Sequence, residues 1–160
     1  MNMKLSPIDV TKYLLYKCSF YGDVITNLKM QKLLYYVYAW CLVKTGSSCF
    51  EEKFQAWPNG PVLPSVYHEL KVYGASPIDP DFTGLETKDD LRELEVRIGR
   101  AKELIDKVFE KYGALSAFQL VSLTHNELSW KNARKGLEVD QPSMNEIADR
   151  DILIQYDEKK

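Results

Sequence analysis

The sequence predicts a mainly α, single-domain helical bundle with a small β-hairpin or extended element around residues 52–63. Capping signals stand ahead of apolar runs at Ser6, Thr26, Thr87, Ser116 and Ser143. Between them apolar residues return every three or four positions, the period of a buried helix face. The pattern breaks where Pro58-Asn59-Gly60-Pro61 excludes helix and favours a turn. At 160 residues, the chain 1–160 is read as one domain, because a second independent core is hard to fit in that length.

The elements follow in chain order. Ser6 caps a first helix with Pro7 at its first position and Asp9 at the positive end of the dipole; Val10, Leu14, Leu15 and Cys18 form its apolar face, and Gly22 stops it. Thr26 or Asn27 opens the second helix, in which Met30, Leu33, Leu34, Val37 and Cys41 recur at helical spacing up to Gly46. Tyr35, Tyr36, Tyr38 and Trp40 occupy its other faces. A helix apolar almost all round belongs at the centre of a bundle, with each tyrosine hydroxyl bonded at the rim.

Phe54 and Ala56 alternate ahead of the proline turn as a short strand would. Helix resumes near Pro64 through Val66, Leu70 and Tyr73 until Gly74. Residues 76–88 are rich in turn formers and predict an exposed, flexible loop. Thr87-x-x-Asp90 then opens one long helix with Leu91, Leu94, Ile98, Ala101, Ile105, Val108 and Tyr112 in line, weakened at Gly99. Ser116-x-x-Gln119 opens a short helix to His125, and Ser129 caps a turn starting at Trp130. Ser143-x-x-Glu146 predicts the start of the last helix, with Met144, Ile147, Ala148 and Ile152 inward and the final residues frayed.

Composition narrows the function. A hydrophobic share of 45% with 28% charged residues suits a packed, soluble domain rather than a disordered chain. The net charge of −2, spread over interspersed residues of both signs, gives no field for nucleic acid or an anionic membrane. No apolar run reaches signal-peptide or ~20-residue membrane-span length, so a cytoplasmic location is expected. Cys18, Cys41 and Cys49 include no C-x-x-C pair and read as reduced, inert thiols. His68 and His125 stand in no metal-ligand pattern, no motif supports a Cys49–His125 nucleophile, and there is no P-loop. The expectation is a non-enzyme without metal or cofactor. His125 reads as a helix-end residue bonded to a backbone carbonyl or set against Trp130.

The stretches NLKMQKLLYYVYAW (27–40) and AWPNGPVLPSVYHELKVYG (56–74), followed by Ser116, Leu120, Leu123-Thr124-His125 and Trp130, resemble in order and spacing the signature of the Panacea domain of SocA-like antitoxins. The resemblance runs from about residue 8 to about residue 156, with Met30 where the family commonly has leucine. It implies an antitoxin, often phage- or mobile-element-associated, that neutralises a cognate protein toxin by direct binding. In one branch of the family such a protein is an adaptor that delivers the toxin to a Clp-type protease. The alternative is a DNA-binding or phage or mobile-element regulatory protein without a toxin partner. No basic recognition helix supports that reading, and nucleic acid is not the expected partner.

The candidate partner-binding residues are Lys29, Lys32 and Tyr36 on the second helix with Trp57, Asn59, Pro61 and Tyr67 around the turn. An aromatic beside a rigid turn is the kind of anchor that interfaces use as a hot spot. The competing expectation pins Trp57 to the core.

Overall fold

The structure is a computed structural model and describes residues 4–157. Of the final residues 157–160, expected to fray, 158–160 lie outside the described residues, while Asp157 is the last residue of a helix. Helix α1 (Pro7–Phe20) starts as expected, with Ser6 Oγ accepting from the Asp9 amide and Pro7 at the first position. Helix α2 (Asn27–Thr45) is capped by Thr26 and ends at Gly46, whose φ of 79° is left-handed. From Met30 to Leu42 every residue of α2 except Trp40 is buried. This helix is the axis of the bundle.

The Tyr35 and Tyr36 hydroxyls are bonded inside the protein, whereas that of Tyr38 is bonded nearer its rim, as expected. Tyr35 shares a 2.6 Å hydrogen bond with Ser129, Tyr36 donates to Glu127, and Tyr38 donates to Asp149. Tyr156 also donates to Glu127, and Trp40 Nε1 donates to Tyr112. These polar links tie the C-terminal third of the chain onto α2 in fixed register, because a buried hydroxyl left without a partner is costly.

The expected hairpin consists of β1 (Gln55–Trp57) and β2 (Gly60–Val62), antiparallel, with Ala56 opposite Pro61 and Trp57 opposite Gly60. Pro58 and Asn59 form the two-residue connection. Helix α3 (Pro64–Leu70) follows and passes into a 3₁₀ turn at Lys71–Tyr73 before Gly74. Residues 76–88, expected to be exposed, are partly anchored: Ile78 and Thr83 are buried, and the Ile78 amide donates to the Ile25 carbonyl. The loop contains a 3₁₀ turn, Pro80–Thr83.

The long helix expected after Thr87 is two helices. Helix α4 (Lys88–Ile98) has the predicted Thr87–Asp90 capping box, but it stops at Gly99, where φ is 60° and ψ −131°. Only glycine adopts that conformation readily, so the chain turns there through a 3₁₀ segment, Gly99–Ala101, into α5 (Lys102–Tyr112). Both helices keep their apolar stripe, with Leu94, Ile98, Ile105 and Val108 buried.

Helix α6 (Ala117–His125) has the predicted Ser116–Gln119 capping box. Helix α7 (Leu128–Ala133) begins two residues earlier than expected; Ser129 lies within it and spends its hydroxyl on Tyr35 instead of capping. Ser143 does not start the last helix either. Its hydroxyl accepts from the Asn145 amide, and the chain runs extended alongside β1: Ile147 N donates to Phe54 O, and Ala56 N to Asn145 O, each at 2.8 Å. Helix α8 (Asp149–Asp157) follows. Ile147 and Ile152 point inward as expected, whereas Met144 and Ala148 are exposed. Pairing with an open strand edge satisfies these backbone groups better than a helical turn that would leave the edge bare.

Candidate functional site

The motif residues meet at the hairpin. Side chains from α2, α6 and α7 take hold of its backbone from Ala56 to Leu63. Arg134 Nη1 donates to Ala56 O at 2.8 Å, Trp130 Nε1 to Trp57 O at 2.9 Å, and Lys32 Nζ to Pro61 O at 3.1 Å. Gln31 Oε1 accepts from Leu63 N at 2.8 Å, and its amide nitrogen donates to Asn27, whose own Nδ2 donates to Tyr67 O. The His125 imidazole stacks on Trp130, with ring centroids 4.1 Å apart. Arg134 lies over the other ring system of this stack, 5.5 Å from the Trp130 centroid.

Lys32 is the extreme member of this set. Its residue is 0% exposed, and burial pulls its amine down to about 7 from 10.5. It lies so close to the turn that a Cβ on Gly60 would come within 2.7 Å of Lys32 Cε and 2.8 Å of Thr124 Oγ1; Gly60 also sits at φ 107°. Gly60 is therefore required twice, for its conformation and for the close approach of the buried lysine. Burial also holds His125 below its ordinary 6.5, so the imidazole is neutral at physiological pH.

The candidate contacts divide by exposure. Lys32, Tyr36 and Pro61 are buried, which corrects the expectation that they face a partner: the amine holds the turn, Tyr36 stacks on Tyr112 at 4.0 Å, and Pro61 supplies the carbonyl that Lys32 holds. The second helix thus has no broad exposed side. Lys29 is half-buried and donates to Gly113 O, which draws it to the end of α5. Trp57 and Tyr67 are half-buried and pack edge to face at 4.8 Å, while Asn59 is exposed at the tip. Trp57 Nε1 donates to Gln55 Oε1. Trp57 is thus pinned through its backbone carbonyl, with its side chain partly exposed.

Sequence reasoning missed Asn27, Gln31, Glu127, Ser129 and Arg134, all buried and polar. The available signal was a pair of amides, Asn27 and Gln31, one turn apart on a helix otherwise apolar, where a polar side chain must find a partner. Chemically, this cluster is occupied with holding backbone. Among the described residues no group of three or more His, Cys, Asp or Glu is placed to hold a metal. The three cysteines are buried and free of disulfides.

The family described as "Antitoxin SocA-like, Panacea domain" matches residues 30–131, a span that contains Lys32, the hairpin, Thr124, His125 and Trp130. The chain belongs to this family. Antitoxin SocA of Caulobacter vibrioides (strain NA1000 / CB15N) is 33% identical over 121 residues, covering 72% of this chain. The chain spans about 63% of that relative's length. No solved structure matches this chain. The SocA-like signature thus coincides with the set of side chains that fastens the hairpin. Arg134 and the strand-like segment at 145–147 complete the same fastening from outside the matched span. No helix among the described residues is long and apolar enough to cross a membrane.

Proposed function

We propose that this protein is a non-enzymatic antitoxin that neutralises a cognate protein toxin by binding it directly, with the rim of the pinned hairpin as the docking surface. The observation that carries this reading is the match of residues 30–131 to the SocA-like antitoxin family. The hairpin suits the role because its backbone is held from Ala56 to Leu63 before any partner arrives, and a preordered platform lowers the ordering cost of association. Trp57 and Tyr67 supply apolar anchors, Asn59 a polar group at the tip, and Lys29 a further contact near the end of α5. The finer reading is that the protein acts as an adaptor, delivering the toxin to a Clp-type protease.

Co-expression with any small toxic open reading frame encoded beside this gene tests the binding reading. Trp57→Ala, folded by circular dichroism, should weaken toxin binding about thirtyfold, roughly 2 kcal/mol, and lose rescue of growth. Equal binding and rescue by this variant would place the interface elsewhere. The adaptor reading requires the toxin's half-life to shorten when this protein and the protease are both present; an unchanged half-life leaves simple blocking. A chain that shifts its own promoter DNA and rescues no toxin would overturn both in favour of a regulator.

A further inference from the structure

Away from the hairpin, a half-open groove of about 430 Å³ runs between the end of α2 and α5. Its floor is apolar: Trp40, Leu104, Val108 and Tyr112. Its rim is charged and one-sided, with Lys44, Arg100, Lys107 and Lys111 against the single carboxylate of Glu103. All four cations are exposed residues. Lys111 Nζ stands 5.0 Å from the Trp40 ring centroid and 5.4 Å from that of Tyr112, which poises its ammonium at the edge of the apolar floor. In a chain of net charge −2, this concentration of positive charge around an apolar trough is a local feature that the overall composition conceals.

The spacing indicates the shape of the occupant. Lys107 and Lys111 follow one stripe of α5, Leu104, Val108 and Tyr112 follow the stripe beside it, and Arg100 stands in the 3₁₀ segment ahead of the helix. Lys107 and Lys111 are four residues, about 6 Å, apart along the helix, with Arg100 a further seven residues back. An extended peptide advances about 3.3 Å per residue and places alternate side chains on one side about 6.6 Å apart. Two carboxylates two positions apart on such a peptide therefore match Lys107 and Lys111, while the apolar side chains beside them enter the floor. A compact anion such as a single phosphate would reach only one end of this row.

We propose that this groove binds a short, extended, acidic segment of a partner protein, in which acidic and apolar residues alternate. The site lies about 18 Å along α2 from Lys32 and does not rest on the antitoxin reading or on the hairpin rim. Opposite charge steers such a segment into the trough, and the apolar floor retains it. Screening by salt weakens the steering because the rim is exposed.

The test uses the full chain and a fluorescein-labelled peptide, Gly-Glu-Leu-Glu-Phe-Glu-amide, in an anisotropy titration at low and physiological salt. The acidic peptide should bind saturably and weaken as salt rises. Its glutamine counterpart should bind at least tenfold more weakly, as should a version with serine in place of leucine and phenylalanine. The double variant Lys107→Glu/Lys111→Glu, at exposed positions and checked by circular dichroism, should lose at least tenfold in affinity for the acidic peptide. Trp57→Ala should bind it as wild type does, which separates this groove from the hairpin. Absence of binding overturns the proposal, as does equal binding by the glutamine peptide or by the charge-reversed variant. Competition by ATP with no loss on replacing the peptide's apolar residues also overturns it, since the groove would then take small anions.

Discussion

Replacing Lys32 by methionine should make the protein more stable at neutral pH, although it deletes a hydrogen bond from the centre of the family signature. The amine is fully buried and meets the Pro61 carbonyl at 3.1 Å. Its fall from 10.5 to about 7, at about 1.4 kcal/mol per pH unit, corresponds to about 5 kcal/mol of stability withheld at pH 7. Methionine has a similar length and no charge to desolvate. Against that gain stands an unsatisfied Pro61 carbonyl, about 1–3 kcal/mol, leaving a net stabilisation of about 2–4 kcal/mol. The sign with pH follows from proton binding. Between about 7 and 10.5 the unfolded chain carries the proton and the folded chain does not, so wild-type stability rises with pH over that window and is lost as pH falls toward 7. Lys32→Met lacks this slope, and its advantage should shrink by about 2 kcal/mol between pH 7 and pH 9. Urea unfolding followed by circular dichroism at pH 7, 8 and 9 measures both quantities. A variant less stable than wild type by the same amount at all three pH values would refute the reasoning, because the lysine would then contribute through packing and its hydrogen bond alone.

Gly60→Ala should destabilise by about 1–3 kcal/mol or more, because its Cβ meets Lys32 Cε and Thr124 Oγ1 at a left-handed φ; a melting temperature equal to wild type would contradict the close approach. Gly99→Ala distinguishes a true break from a merely weak spot. In a continuous helix it would stabilise by about 1 kcal/mol, whereas at φ 60° and ψ −131° it should destabilise in the same urea assay. His125 is buried below its ordinary 6.5, so the unfolded chain takes up the proton first and stability should fall as pH drops below 6.5. His125→Phe keeps a ring on Trp130 and should flatten that fall in acid unfolding curves.

The parts legible in the sequence were those governed by local chemistry. Ser6, Thr26, Thr87 and Ser116 cap helices as their spacing predicts, and the proline turn between residues 57 and 60 closes the hairpin. What was misread depended on distant partners. Lys32 was assigned to the surface by residue type, but carbonyl and aliphatic surroundings contributed by the hairpin take it inside. Tyr36 was drawn inward by Tyr112 and Glu127, both more than seventy residues away. The Ser143-x-x-Glu146 signal is a sound local cap, overridden because β1 offers an open edge. Gly99 shows the opposite error: a local cue was present, but helical periodicity on both sides outweighed it. The candidate site was legible as a set of residues and not as an exposed surface, since the motif's positions mark what holds the hairpin as well as what the hairpin presents.

The strand-like segment at 145–147 has a consequence for how the molecule is made. It joins Phe54 and Ala56 across some ninety positions of chain, and Arg134 joins Ala56 across 78. Contacts between residues so distant in sequence form late and slowly, because the intervening loop must be closed first. During synthesis the hairpin emerges from the ribosome long before Trp130, Arg134 and residues 145–147, so a nascent chain has the turn held from α2 alone. Competence to grip a partner then arrives near the end of translation. A protease removing the chain beyond Ala133 would reverse that last step, loosening the hairpin while most of the helical bundle stayed in place.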